Sequence, residues 1–280
     1  MIDVNRWDHQ RVDLTDENLL LAYLSEVRPE IIVHCAAATD VERCEADPVY
    51  ARAVNVCATQ RLAQWAARNG AKLVFISTDS VFDGQAGGYS EEDPVGPLNE
   101  YSRTKSAAEE ITRQLCEDSL IVRTNFYGWN RHGKPNLSKW ILATLLRGEK
   151  LSAFTDVRFS PLYVSDLAKL ILELIARKAR GILHVASQNS CSKYELAVLM
   201  GRAFGLDTRQ HIAPMLLGEF PFKAQRPKNT SLAVGKCARF LGIELPTVER
   251  GIAAFRNRLD ATESLGLKRF VAASAAPGAN

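Results

Sequence analysis

Short apolar runs alternate along this chain with longer stretches whose apolar residues recur at helical spacing. IIVHCAAA (31–38) is a continuous apolar run and predicts a strand covered on both faces. KLVFIST (72–78) and SLIVRT (119–124) predict two further strands. Helical patterns fill the intervals at 15–28, 48–69 and 99–116. Thr15 is expected to cap the first, Pro29 to stop it, and Gly70 to end the second. A Gly/Pro-rich loop runs over 83–98. Later helical patterns cover 137–148, 165–178, 192–205 (with Ser192 as cap) and 245–259, and ILHVAS (182–187) predicts another strand.

Strands separated by helices imply βαβ units and a parallel sheet with helices on both faces. The expected fold is α/β, a doubly wound parallel sheet followed by a smaller C-terminal substrate-binding domain. We divide the chain into 1–130, 131–262 (mainly substrate-binding, with segments returning to the sheet) and a tail at 263–280. Ligands of such sheets bind at the carboxyl ends of the strands. Residues 36–38, 77–79 and 123–125 all fall there, so fold logic brings them to one edge.

The 280 residues are 46% hydrophobic and 24% charged, ordinary for a globular protein, and the net charge is +3. Lys and Arg are scattered, which argues against a nucleic-acid footprint. No apolar run reaches membrane-spanning length, and MIDVNRWDHQ carries no signal-peptide core. Cysteines 35, 44, 57, 116, 191 and 237 show no C-x-x-C spacing. They are expected to be reduced thiols of a cytoplasmic protein, with Cys35 and Cys57 in the core. The five histidines are dispersed and suggest no metal site.

Tyr101 and Lys105 form a Y-x-x-x-K pair, whose i, i+4 spacing puts both on one helix face. A phenol titrates near 10 and needs help to act at neutral pH; a nearby ammonium lowers that value. Alone the pair is a weak signal, equally at home on an exposed helix. Thr78 changes its weight. It ends a predicted strand 23 residues earlier, where a hydroxyl can donate to a carbonyl oxygen while the phenol delivers the proton. A turn with local side-chain caps at Ser77-Thr78-Asp79-Ser80 is the structural alternative.

In this context the chain resembles the extended short-chain dehydrogenase/reductases, and among them the dTDP-4-dehydrorhamnose reductase-like, sugar nucleotide-binding family. The stretches that carry the likeness are DLTD (13–16), RPEIIVHCAAATDVERCE (28–45), NVCAT (55–59), FISTDSVFDG (75–84), PLNEYSRTK (97–105), RTNFYG (123–128) and RPKNTSL (226–232). The resemblance implies a Rossmann-like sheet, NADP or NAD as cofactor, and reduction of the 4-keto group of a nucleotide-activated deoxysugar.

It implies that Tyr101 gives the proton, that Lys105 binds the nicotinamide ribose and tunes Tyr101, and that Thr78 holds the keto oxygen with Asp79 beside it. Ala36, Ala37 and Ala38 would line the cofactor, and Asp13 and Leu14 would flank the adenine. Asn55 would support the active-site backbone or a relay water. Phe126 and Arg226 would face the substrate, though a structural ion pair explains Arg226 equally well. The expected partners are a nucleotide-sugar substrate and, as an open alternative, a second copy in a homodimer; neither nucleic acid nor a membrane is expected.

Phe126 stands where those reductases carry Trp, and Ser80 where they usually carry Tyr. G-x-x-G-x-x-G is absent. The resemblance therefore implies that the first βαβ elements, roughly 30 residues, are missing, and with them the main phosphate cradle. These departures leave two alternatives open. One is a non-catalytic regulatory subunit resembling the methionine adenosyltransferase β subunit. The other is a nucleotide-sugar epimerase or dehydratase.

Overall fold

A computed structural model describes residues 12–129 and 136–258. Ten strands occur among them. In chain order they are β1 (Ile31–His34), β2 (Lys72–Thr78), β3 (Leu120–Thr124), β4 (Phe126–Tyr127), β5 (Leu151–Phe154), β6 (Arg158–Phe159), β7 (Leu162–Tyr163), β8 (Gly181–His184), β9 (Cys191–Ser192) and β10 (Ile212–Met215). The main sheet is parallel, in the order β1-β2-β3-β8, and β2 and β3 run in register from Val74–Leu120 to Thr78–Thr124.

Alternation along β2 explains the two covered faces. Leu73 packs on Leu62, Ala63 and Ala66 of the Ala58–Asn69 helix, and Phe75 packs on Ala108 of the Glu100–Leu115 helix. Val74 and Ile76 point the other way, onto Leu167, Leu170, Ile171 and Leu174 of the Val164–Ala176 helix. A β2 buried on both sides needs its near-continuous apolar run. The chain beyond residue 130 supplies β8 and the Val164–Ala176 helix to this body. A second core gathers Ile141, Leu142, Leu151, Phe159, Leu196, Met200 and Phe255.

Several local expectations need correction. β1 stops at His34, and Cys35–Asp40 continue as a loop. Among the described residues β1 is the edge strand of the sheet, and Val33 is 43% exposed rather than covered. The first helix is Glu17–Val27 and its cap is Asp16, which accepts from the Leu19 N–H; Thr15 hydrogen-bonds Asp13 instead. Cys35 is exposed and Cys57 half-buried, whereas Cys44, Cys116, Cys191 and Cys237 are buried; all six are free. The helical pattern over 48–69 contains a π-helical turn at Ala53–Cys57. The expected 263–280 tail lies outside the described residues.

The Gly-rich loop after β2 is a packing device. A Cβ on Gly84, whose φ is +73°, would lie 2.5 Å from Cβ of Pro227. Gly88 N–H donates to Ser231 Oγ, and Tyr89 bridges Leu232. These contacts bring the 226–232 loop onto the tip of the main sheet.

Candidate active site

β2 ends in hydroxyls because its tip forms the wall of a cavity. The cavity, of about 270 Å³, is lined by Ala37, Ser77, Thr78, Tyr101, Lys105 and Asn125, with Cys35, Thr39, Ile76, Thr124 and Phe126 completing its wall. Thr78 also accepts from the Ser80 N–H and so caps the short turn Asp79–Val81. The cap and the site therefore coincide in one residue.

Asn99 starts the helix that carries the Tyr-Lys pair by accepting from Ser102 N–H. Its first two turns bring Tyr101 and Lys105 over the strand tips. The Thr78 hydroxyl reaches the Tyr101 phenol and eases its pKa downward, but burial outweighs it and pushes the phenol up to about 12; the Asp79 charge adds to the rise. Lys105 is 2% exposed, donates to the Ile76 carbonyl at 2.7 Å, and lies 3.9 Å over the Phe75 ring. Burial pulls its amine down to about 7, against Glu109 and Cys35, which favour the charged form. The expected lowering of Tyr101 by Lys105 is thus absent from this geometry. The phenol stays protonated, the form a proton donor needs.

Asn55 sits in the π-helical turn, a feature frequent at functional sites. It is buried and fully spent. Its Oδ1 accepts from Ala38 N–H at 2.8 Å, and its Nδ2 donates to Ala38 O and to Thr104 Oγ1. Of the three alanines, Ala37 lines the cavity, Ala38 is buried under Asn55, and Ala36 is exposed. Asp13 and Leu14 lie elsewhere. The Asp13 carboxylate accepts from the Thr15 N–H and hydroxyl, and Leu14 packs beside the Leu20–Leu24 cluster.

A second cavity, of about 230 Å³, shares Asn125 with the first and is walled by Asp79, Lys193, Arg226 and Thr230 together with Phe154 and Phe222. Asp79, 1% exposed, accepts from Thr230 Oγ1 at 2.7 Å and from Asn125 Nδ2 at 3.2 Å. Burial raises its pKa, while those bonds and the Lys193 charge oppose the rise. Lys193 lies 3.4 Å over the Phe159 ring, and burial pulls it down to about 8. Arg226 pairs with Glu42 at 2.8 Å and also lines the cavity, so both readings of it find a contact. Phe126 is 51% exposed at the rim of the first cavity.

Lys193 and Thr230 line the second cavity, and sequence reasoning did not single them out. Lys193 follows the Ser192 cap, and nothing local marks it; only the return of the chain brings it opposite Asp79.

The first cavity suits the nicotinamide-riboside half of a dinucleotide. It lies at the carboxyl ends of parallel strands. The buried Thr124 hydroxyl in its wall has no partner, and Lys105 brings a donor that ribose hydroxyls can accept. Parallel sheet, Tyr-Lys pair and strand-tip threonine together define an extended short-chain dehydrogenase/reductase.

Within that class the chain belongs to the family described as the RmlD substrate binding domain, which matches residues 2–261. It is 33% identical over 250 residues to the probable low-salt glycan biosynthesis reductase Agl14 of Haloferax volcanii, covering 88% of this chain and 83% of that one. It is 32% identical to methionine adenosyltransferase 2 subunit beta of Xenopus laevis, over 80% of this chain and 69% of that one. Its fold superposes on the crystal structure of dTDP-4-dehydrorhamnose reductase from Bacillus anthracis in complex with NADP, with a TM-score of 0.81 at 32% identity. That match covers 87% of this chain and 86% of the other.

Proposed function

We propose that this protein is an NAD(P)H-dependent reductase of the 4-keto group of a nucleotide-activated deoxysugar. The observation that carries the reading is a single cavity at the strand tips lined by Thr78, Tyr101 and Lys105. The cofactor, NADP or NAD, supplies hydride to the carbonyl carbon when bound. Tyr101 gives its proton to the carbonyl oxygen, and Thr78 donates a hydrogen bond to that oxygen as charge develops on it. Lys105 leaves the Ile76 carbonyl for the ribose hydroxyls. Ala37 keeps the strand end low enough for the ring to lie against it, and Asn55 holds the backbone at Ala38 in place.

The sugar sits between the two cavities, beside Asp79 and under Phe126. The nucleotide extends toward Arg226. The cofactor is then held within the 1–130 portion, and the substrate lies between that portion and Arg226 of 131–262. Six free thiols suit a cytoplasmic location.

The likeness to a methionine adenosyltransferase subunit favours a second reading, a binding subunit without turnover. A dehydratase reading gains nothing from Asp79, whose carboxylate is already committed to Thr230 and Asn125.

The test is oxidation of NADPH or NADH, followed at 340 nm, with dTDP-4-keto-6-deoxysugars. Consumption of cofactor with one of them is expected. No oxidation with any of them, alongside co-purification with a partner enzyme, selects the subunit reading.

A further inference from the structure

Lys193 stands in the wall of the second cavity with its donors unspent. It opens the Lys193–Ala203 helix directly after the Ser192 cap, and its backbone N–H donates to the Val157 carbonyl. The side chain is half-buried, with Nζ 3.4 Å over the face of Phe159. Among the described residues that ring is its one direct contact: the ammonium makes no ion pair and donates no hydrogen bond. An ammonium has three N–H donors, and a ring face uses none of them fully. The position also works against the fold. The first turn of a helix carries partial positive charge and favours a carboxylate, such as the Glu195 of this capping box. A part-buried cation there, with no counter-ion in contact, costs stability.

Arg226 faces the same cavity. Its guanidinium lies 4.8 Å over the Phe222 ring, Glu42 holds Nη2, and Nε is buried without a partner. The one carboxylate among the lining residues is Asp79. Its Oδ1 accepts from Asn125 and its Oδ2 from Thr230 and Asn125, so it is committed to neighbours and pairs with neither cation. Phe154, Val157 and Leu217 complete an apolar remainder that offers a cation nothing.

We propose that Lys193 is a specificity-determining residue: with Arg226 it holds the diphosphate that joins the sugar of the substrate to its nucleoside. The inference rests on the reading of the first cavity as the place of keto reduction and deepens it. The two cavities share Asn125, and Asp79 of the second follows Thr78 of the first. A sugar whose carbonyl meets Thr78 therefore leads its remaining substituents into the second cavity. Two cations on one wall match the two charged phosphates of a diphosphate, whereas a sugar carboxylate carries one charge. Lys serves a phosphate as a point charge and Arg through its planar donors. Burial pulls the Lys193 amine down to about 8, which leaves it mostly charged at pH 7.

Calorimetric titration of the full chain tests this, with dTDP and UDP set against thymidine and uridine, and with NADPH as a further probe. The parent is expected to bind at least one of the diphosphates more tightly than its nucleoside. Lys193→Met keeps the length of the side chain and removes the charge. It is expected to weaken that diphosphate about tenfold or more, and to leave the nucleoside, NADPH and the melting temperature unchanged. Lys193→Arg restores the charge and also lies on aromatic faces, so affinity is expected to return to within about threefold of the parent. A merely structural role gives no such selective loss and rescue. Should Lys193→Met not fold, Lys193→Gln carries the same comparison. A parent that does not distinguish diphosphate from nucleoside overturns the proposal, as does a folded variant that binds the diphosphate like the parent. A loss of NADPH affinity instead would assign the ammonium to the cofactor and overturn it too. The titration needs no turnover: a chain that binds a diphosphate through Lys193 yet oxidises no cofactor with any keto sugar refutes the proposed function and leaves this anion site standing.

Discussion

Asn55 grips Ala38 by both of its backbone polar groups, accepting from the N–H at 2.8 Å and donating to the carbonyl at 3.2 Å. The same amide donates to Thr104, which lies between Tyr101 and Lys105 and bonds back to the Tyr101 carbonyl. One side chain from a π-helical turn thus joins the loop after β1 to the helix of the active pair. Asn55→Ala leaves the buried Ala38 N–H without its partner, at a cost of about 1–3 kcal/mol. Urea unfolding of variant and parent measures it; a loss below about 0.5 kcal/mol would mean the loop finds another acceptor.

If Tyr101 gives the proton as proposed, Tyr101→Phe removes that donor and keeps the ring. Turnover of a keto sugar is expected to fall by about 100-fold or more, as for a lost general acid, with cofactor affinity little changed. Steady-state kinetics with both substrates varied measures this. Unimpaired turnover would take Tyr101 out of the chemistry.

Lys105 makes stability depend on pH in a defined window. Its folded pKa, about 7, lies below the 10.5 of the free side chain. Between those values the unfolded chain holds more protons, so stability rises with pH; below 7 the cost of burying the charge is fully present. Lys105→Met is therefore expected to be the more stable protein at pH 6, by on the order of a few kcal/mol. The advantage should fade toward pH 10. Lys193, pulled down to about 8, adds a rise of the same sign but is common to both proteins and cancels in the difference. Thermal unfolding of the cofactor-free pair at several pH values reads the result, and a difference independent of pH would contradict it.

Arg226 and Glu42 are partly exposed, 22% and 38%, and such a pair contributes only about 0–1 kcal/mol. Glu42 also accepts from the Lys223 N–H, so it straps the 223–226 loop to the Val41–Ala46 helix. If Arg226 meets the substrate, Arg226→Gln raises KM for the sugar nucleotide about tenfold, the loss of a charge-assisted contact, and Glu42→Gln changes it far less. Equal effects of the two would reduce Arg226 to the strap alone.

Much of this molecule was legible before its folding was known. The Lys72–Thr78 strand, the Gly70 helix end and the Ser192 cap all appear where the pattern put them. The parallel sheet followed from the alternation of strand and helix, and the gathering of 77–79 with 123–125 followed from the rule that strand carboxyl ends meet at one edge. One mistake arose where two neighbours compete: Asp16 took the helix cap from Thr15, since a carboxylate caps as well as a hydroxyl and its position suited the turn.

What the sequence determined by itself was set by forces acting within a few residues: side-chain period, caps and turn chemistry. Burial and charge were decided by the tertiary structure. Whether Cys35 is covered depends on what lies beside β1, and the Lys105 amine is shifted by a desolvation that no local pattern records. Arg226 meets Glu42 across 184 positions and Thr230 meets Asp79 across 151. Partners that far apart are chosen by the path of the chain in space, because desolvation and Coulomb forces follow distance through the folded body and not along the sequence.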